Sequence, residues 1–189
     1  MSKLNFLGIC GSLRHASRNM GLLRKAAQIM PPDSSLEIAC ISDIPFYNED
    51  IAKPDSVKRL VKKAEKADGF LFASPEYNYS LAPALKNALD WLSREPNLKP
   101  VSGKPGAIVG AGGGMGTVRS QTHLRQVCVY LNILLLDKPE FFSNAFSSSY
   151  NDEGDLVDEV LEKQLAALLE TLADWTRALR AGRESLGRK

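Results

Sequence analysis

Short apolar runs alternate along this chain with longer segments in which apolar residues recur every three or four positions. The short runs predict five β-strands, at residues 4–9, 36–41, 69–73, 107–109 and 133–136. The longer segments predict amphipathic helices at residues 20–30, 55–67, 83–92, 117–130 and 156–179. The sequence therefore predicts a regular alternation of strands and helices.

Strands separated by helices favour an α/β fold with a parallel sheet covered on both faces. Right-handed crossovers leave few topologies, and we expect a doubly wound, three-layer α/β/α fold with the five-stranded order 2-1-3-4-5. Ligands of such folds bind at the carboxyl ends of the strands, where the strand order switches. That rule singles out three loops, at residues 11–19, 74–82 and 111–116.

Length and composition narrow the class of protein. A chain of 189 residues suits a single domain, covering residues 1–189. Its 24 basic and 22 acidic residues give a net charge of +2, which does not predict a nucleic-acid partner. The sequence has no signal peptide and no apolar stretch of membrane-spanning length, so a cytoplasmic protein is expected. Three widely spaced cysteines suggest neither a disulfide framework nor a metal site.

The first of the three loops combines hydrogen-bond donors with positive charge. Ser12, Ser17 and Asn19 offer neutral donors, and either Arg14 or Arg18 adds a cation. The loop leads from a strand into a helix, whose first turn presents free N–H groups and a positive dipole end. It therefore predicts a phosphate site, the alternative being simple helix capping by Ser17 or Asn19.

The third loop is rich in glycine, at Gly112, Gly113, Gly114 and Gly116. It does not fit the dinucleotide fingerprint G-x-G-x-x-G in either frame. A run without side chains would let a flat ring approach the backbone closely. The alternative is a flexible hinge.

The middle loop carries a proline, two tyrosines and amide donors. Its predicted ligand contacts are Pro75, Glu76, Tyr77 and Asn78. Tyrosine rings can pack on a planar ligand, and backbone N–H groups can reach its polar edge. The alternative is a surface turn whose tyrosines close the core.

Several of these motifs together resemble the NADPH-dependent FMN reductase family, and in particular its bacterial quinone, azo and chromate reductases. The resemblance covers about residues 4–142. It is carried by the following residues and segments: Gly11-Ser12-Leu13-Arg14 with Ser17 and Asn19, residues 75–80 running into residues 84–91, the single residues Arg119, Gln121, Leu124 and Arg125, and Lys138-Pro139-Glu140-Phe141.

The resemblance implies a flavodoxin-like fold, with the FMN phosphate near residues 12–19 and the isoalloxazine ring beside residues 75–78 and the glycine loop. It also implies a homodimer or homotetramer, with Arg119 and Glu140 at positions that can sit in the tetramer contact. Local salt bridges are the alternative.

The expected activity is hydride transfer from NADPH or NADH through FMN to a quinone, with azo compounds, other flavins or chromate as further acceptors. The flavin N5 would carry the chemistry, so no side chain is predicted to be an obligatory acid or base. The rival interpretations are a flavodoxin-type electron carrier and a protein of the same fold without cofactor. Carriers tend to be strongly acidic, which this chain is not.

Overall fold

The computed structural model describes residues 3–187. Its main sheet contains six parallel strands, and a two-stranded hairpin lies apart from it. The strands are β1 Leu4–Cys10, β2 Ser34–Ala39, β3 Gly69–Ala73, β4 Glu76–Tyr77, β5 Ser80–Leu81, β6 Pro105–Gly112, β7 Leu134–Leu135 and β8 Phe141–Asn144. The helices are α1 Arg18–Gln28, α2 Asp55–Lys66, α3 Pro83–Leu92, α4 Val118–Leu131 and α5 Glu159–Ser185, with a 3-10 turn at Pro96–Leu98.

The sheet order is β2-β1-β3-β6-β7, which confirms the predicted order 2-1-3-4-5. The fifth position is shared by two segments, because both β7 and β8 pair in parallel with β6. Only β7 was predicted, as the strand at residues 133–136. The pairing of β8 with the last four residues of β6 extends the sheet toward its carboxyl edge, where the site is expected.

Apolar side chains cover both faces of the sheet. Helices α1 and α5 supply one core cluster and helices α2, α3 and α4 the other, so the molecule has three layers. Strand β3 is buried along its whole length, as expected for a central strand of a parallel sheet. In β1, Phe6 belongs to one cluster and Leu7 to the next, in keeping with the two-residue period of a strand.

Several predicted boundaries were wrong by a few residues. The second strand lies two residues earlier than predicted, and β6 runs on through Gly112, which places the first two residues of the predicted glycine loop in the strand. The hairpin β4–β5 occupies part of the predicted loop 74–82. Helix α5 begins at Glu159 because the Asp158 side chain accepts hydrogen bonds from two backbone N–H groups there, and it continues to Ser185.

In residues 3–187, no helix combines the length and the apolar character needed to cross a bilayer. The longest, α5, packs its buried leucines into the first core cluster instead.

Candidate functional site

The predicted phosphate loop connects β1 to α1 and is held largely by its own side chains. Ser17 is the N-cap of α1, and its hydroxyl accepts a hydrogen bond from the Met20 N–H at 3.1 Å. The Ser12 hydroxyl accepts one from the Arg14 N–H at 3.4 Å. Both serines are buried, whereas Arg14 is exposed. The capping alternative is therefore confirmed for Ser17, and a phosphate contact by either serine stays a prediction.

Asn19 links this loop to the end of β6. Its amide donates to the Ala111 carbonyl at 2.8 Å, and its carbonyl accepts from the Ala111 N–H at 3.0 Å. The side chain is buried. Asn19 thus fixes the start of α1 against the strand that leads into the glycine loop.

Arg18 presents an unusual feature at the start of α1. Its Nε is buried and has no hydrogen-bond partner within the described chain. The first turn of α1 contains no acidic residue, and the Arg18 cation lies at the positive end of the helix dipole. A buried donor without a partner is unfavourable, and an anion bound at this helix start would supply the missing acceptor.

The glycine loop divides into two kinds of position. A Cβ added at Gly112 would lie 2.2 Å from the Gly116 carbonyl oxygen, and Gly116 itself has a φ of 62°. These two glycines are required by the fold of the loop. A Cβ at Gly113 or Gly114 would meet no atom within 4 Å, so these two face open space.

That open space is a cleft of about 730 Å³. Of the predicted contacts, it collects Glu76, Asn78, Gly113, Gly114 and Gly116. It is further lined by Tyr79, Met115 and Arg119, which the predicted contacts did not include. They come from the β4–β5 hairpin, the glycine loop and helix α4, and they meet only in the folded chain.

A second cleft, of about 340 Å³, borders the same hairpin. It is lined by Gly11, Leu13, Arg14, Tyr77, Pro83 and Ala84. The adjacent residues Tyr77 and Asn78 therefore line different clefts, and the hairpin borders both. Pro75 is buried and restricts the space beside Gly11, because a Cβ added to Gly11 would lie 3.0 Å from the proline Cδ.

The Glu76 side chain lines the cleft, but its carboxylate is hydrogen-bonded to helix α4. One carboxylate oxygen accepts hydrogen bonds from the backbone N–H groups of Arg119 and Ser120, at 3.0 and 3.1 Å, and the other lies 3.4 Å from the Arg119 guanidinium. Thr117, the N-cap of α4, makes no side-chain capping bond. Glu76 therefore caps α4 from a distant loop.

Arg119 and Glu140 each form a local salt bridge, which was the alternative to a tetramer contact. Arg119 pairs with Glu76, and Glu140 pairs with Lys138. Hydrogen bonding by Lys138 lowers the pKa of Glu140.

Cys10 lies beneath the phosphate loop, with its sulfur 4.0 Å from the Ser17 hydroxyl. Burial raises the pKa of this thiol, against the opposing effect of hydrogen bonds to Ser12 and Ser17. The neutral thiol is therefore favoured, and Cys10 is unsuited to act as a nucleophile.

The residues present fit an FMN molecule. The unpartnered buried Nε of Arg18 lies at a helix N-terminus, where a phosphate monoester can accept hydrogen bonds. Glycine backbone without side chains borders a cleft large enough for a planar ring system. Both lie at the carboxyl edge of the sheet, and Asn19 connects them through Ala111.

Comparison with known proteins agrees with this geometry. The sequence pattern of the NADPH-dependent FMN reductase family matches residues 4–147. The chain is 45% identical to an NAD(P)H-dependent FMN reductase of Pseudomonas aeruginosa, over 94% of this chain and 97% of that protein. It is 47% identical to an NAD(P)H:quinone oxidoreductase of Solanum tuberosum, over 87% and 89%.

A solved structure is also similar to this chain. The flavoenzyme NAD(P)H:(acceptor) oxidoreductase of Paracoccus denitrificans superposes with a TM-score of 0.84 at 29% identity, over 93% of this chain and 98% of that one. Sequence pattern, curated relatives and solved structure therefore agree, and the chain belongs to the NADPH-dependent FMN reductase family.

Proposed function

We propose that this chain is an FMN-dependent oxidoreductase that passes reducing equivalents from NADPH or NADH to a quinone-type acceptor. The observation that carries the proposal is the 730 Å³ cleft at the carboxyl edge of the sheet, one wall of which is bare glycine backbone. The quinone reductases among its relatives support this class of acceptor. Azo compounds, other flavins and chromate are further candidate acceptors.

Each part of the site has a task in this proposal. The phosphate would be held by Ser12, Arg14, Ser17 and the N-terminus of α1. Arg18 would add a positive charge through its buried Nε, and Asn19 would hold the loop against β6. Pro75 to Asn78 and residues 112–116 would border the ring. FMN, when bound, would supply the two-electron chemistry, namely hydride acceptance from NAD(P)H and reduction of a quinone by two electrons and two protons. The protein's contribution is binding, orientation and electrostatics.

The assembly and location are part of the same proposal. We propose one FMN-binding domain over residues 1–189, a homodimer or homotetramer, and a cytoplasmic protein. Sedimentation of the purified protein measures the oligomeric state directly.

Absorbance of the purified protein tests the activity. We expect a yellow protein whose flavin is bleached by NADPH under nitrogen and restored by a quinone. A yellow protein that responds to neither nucleotide would instead be an electron carrier. A colourless protein that takes up no added FMN would contradict the whole proposal.

The phosphate loop is tested by comparing FMN with riboflavin, which lacks the phosphate. We expect Arg14→Ala and Arg18→Gln each to weaken FMN binding to the apoprotein by about 1–3 kcal/mol, the scale of a hydrogen bond to a charged group. Riboflavin binding should not change. Arg59→Gln, an exposed position on α2, removes an equal charge as the control. An arginine whose loss leaves FMN affinity unchanged is not a phosphate ligand.

A further inference from the structure

The wall of the 730 Å³ cleft carries one arginine, Arg119, whose guanidinium is held on several sides. It pairs with Glu76 at 3.4 Å, lies over the Tyr79 ring at 4.0 Å, and reaches the Met115 sulfur at 3.6 Å. These contacts use only part of its five N–H donors. A restrained guanidinium with free donors is pre-organised to bind an anion.

The charge of Arg119 faces the cleft more than the charge of its partner does. The Arg119 side chain is 39% exposed, whereas the Glu76 side chain is 11% exposed and accepts two backbone N–H bonds of α4 as well. The N-terminal end of α4 adds its own positive dipole. This wall of the cleft is therefore positive toward a ligand.

The contact between Arg119 and Tyr79 requires a strained backbone at Tyr79. Asn78 and Tyr79 are the two central residues of the β4–β5 hairpin, and both have left-handed backbone, with φ of 49° and 67°. Asparagine tolerates this region, but the second position of such a turn favours glycine, and a bulky aromatic there is strained. Strain of this kind persists where surrounding contacts and function retain it.

We propose that Arg119, supported by Glu76 and Tyr79, binds a phosphate group of the nicotinamide dinucleotide while the nicotinamide ring occupies the same cleft. The inference rests on the proposed function and names the residue that receives its reductant. A guanidinium matches phosphate oxygens with two parallel hydrogen bonds, and every nicotinamide dinucleotide carries at least two phosphates. A neutral quinone carries no group of that kind.

The test measures binding without turnover. Oxidised holoprotein is titrated with NADP⁺ and with NAD⁺, which cannot reduce the flavin, and the dissociation constant is read from calorimetry. We expect Arg119→Gln to raise it 5- to 50-fold and Arg119→Lys to raise it less, with FMN content unchanged. Arg125→Gln is the matched control, since Arg125 lies on the same helix but bonds to the Leu136 carbonyl.

The two nucleotides identify the phosphate. Weaker binding of both assigns Arg119 to the pyrophosphate, and weaker binding of NADP⁺ alone assigns it to the 2′-phosphate. Unchanged constants for both in Arg119→Gln would overturn the inference, as would loss of FMN from that variant. A wild-type protein that takes up no FMN would instead end the proposed function before any nucleotide is added.

Tyr79→Gly separates support of Arg119 from ordinary structure. Glycine relieves the strained turn, so we expect a melting temperature equal to or above that of the wild type. Because the ring beneath Arg119 is lost, NADP⁺ binding should weaken about 2- to 5-fold. Full nucleotide affinity in this variant would show that Tyr79 has no part in the site.

Discussion

At the scale of single residues, neighbouring positions of the same motif have different tasks. Gly112 and Gly116 are glycine because the loop leaves no room or uses a left-handed φ, whereas Gly113 and Gly114 border open space. Glu76 and Asn78 also lie two residues apart and differ in the same way. The Glu76 carboxylate is bonded to the start of α4, whereas Asn78 lies in the turn of the hairpin and lines the cleft. Residue type alone does not distinguish these tasks.

The glycine loop therefore predicts opposite results for two substitutions. Gly114→Val should leave the melting temperature nearly unchanged, because the added side chain meets nothing nearby, and should block flavin loading by filling the cleft. Gly112→Ala should lower stability, because its Cβ collides with backbone. Thermal unfolding of the apoproteins and the flavin-to-protein ratio after FMN addition check both. Full flavin loading of Gly114→Val would contradict the assigned ring position.

Removal of the Glu76 carboxylate should destabilise the protein by roughly 1–3 kcal/mol, because two N–H groups of α4 and one guanidinium lose their acceptor. Glu76→Gln keeps one acceptor oxygen and should cost less than Glu76→Ala. Urea unfolding of the apoproteins measures the difference. Equal stability of Glu76→Ala and wild type would show that α4 does not depend on this cap.

At the scale of elements, the site depends on how two helices begin. Helix α1 is capped by its own Ser17 and tied to β6 through Asn19, while α4 is capped by a residue from the β4–β5 hairpin. Hydrogen bonds thus hold the start of α1 against β6 and the start of α4 against β4. The loops around the cleft keep their relative position because these bonds cross between elements.

Asn19→Ala should lower the free energy of unfolding by about 1–3 kcal/mol, since it leaves both backbone groups of Ala111 without their buried partner. FMN affinity should also fall, because the phosphate loop and the glycine loop lose their connection. Asn48→Ala, at an exposed loop position, is the control. A stable Asn19→Ala variant with full FMN affinity would leave the connection without function.

At the scale of the whole molecule, two apolar clusters on opposite faces of the sheet stabilise the fold that supports the polar site at its edge. Cys128 lies in the second cluster, and burial raises its pKa to about 12 from a usual value near 9. A group whose pKa is raised by folding stabilises the native state fully below its unfolded pKa and loses that contribution as the pH rises toward its folded pKa.

The alkaline loss of stability should therefore be smaller in Cys128→Ala than in the wild type. Above about pH 9 the wild type loses roughly 1.4 kcal/mol per pH unit through this thiol, and the variant does not. Urea unfolding at pH 8, 9, 10 and 11 gives the comparison. Cys40→Ala is the control, because Cys40 is exposed and a hydrogen bond to Ser42 lowers its pKa. Parallel pH profiles for Cys128→Ala and wild type would refute the assignment.

Much of this organisation could be predicted from the sequence. The alternation of apolar runs and amphipathic segments is sufficient for the sheet order and for the three loops that meet at its carboxyl edge, because buried faces leave a period of two or about 3.6 in the chain. The motifs of those loops also predicted the family. Missed elements were short: β8 has four residues and the hairpin strands two each. Segments of that length are too brief to show a period.

The tertiary structure alone decided which polar side chain serves the scaffold and which faces the cleft. Asn19 bonds to a residue 92 positions away, and Glu76 to residues 43 and 44 positions away. Local patterns record how an element is buried but not which distant group completes its hydrogen bonds. The sequence thus indicates a flavin-type site at one edge of the sheet. The three-dimensional packing decides that Arg119 is partly exposed at the cleft, whereas Asn19 and Glu76 are bonded to distant backbone groups.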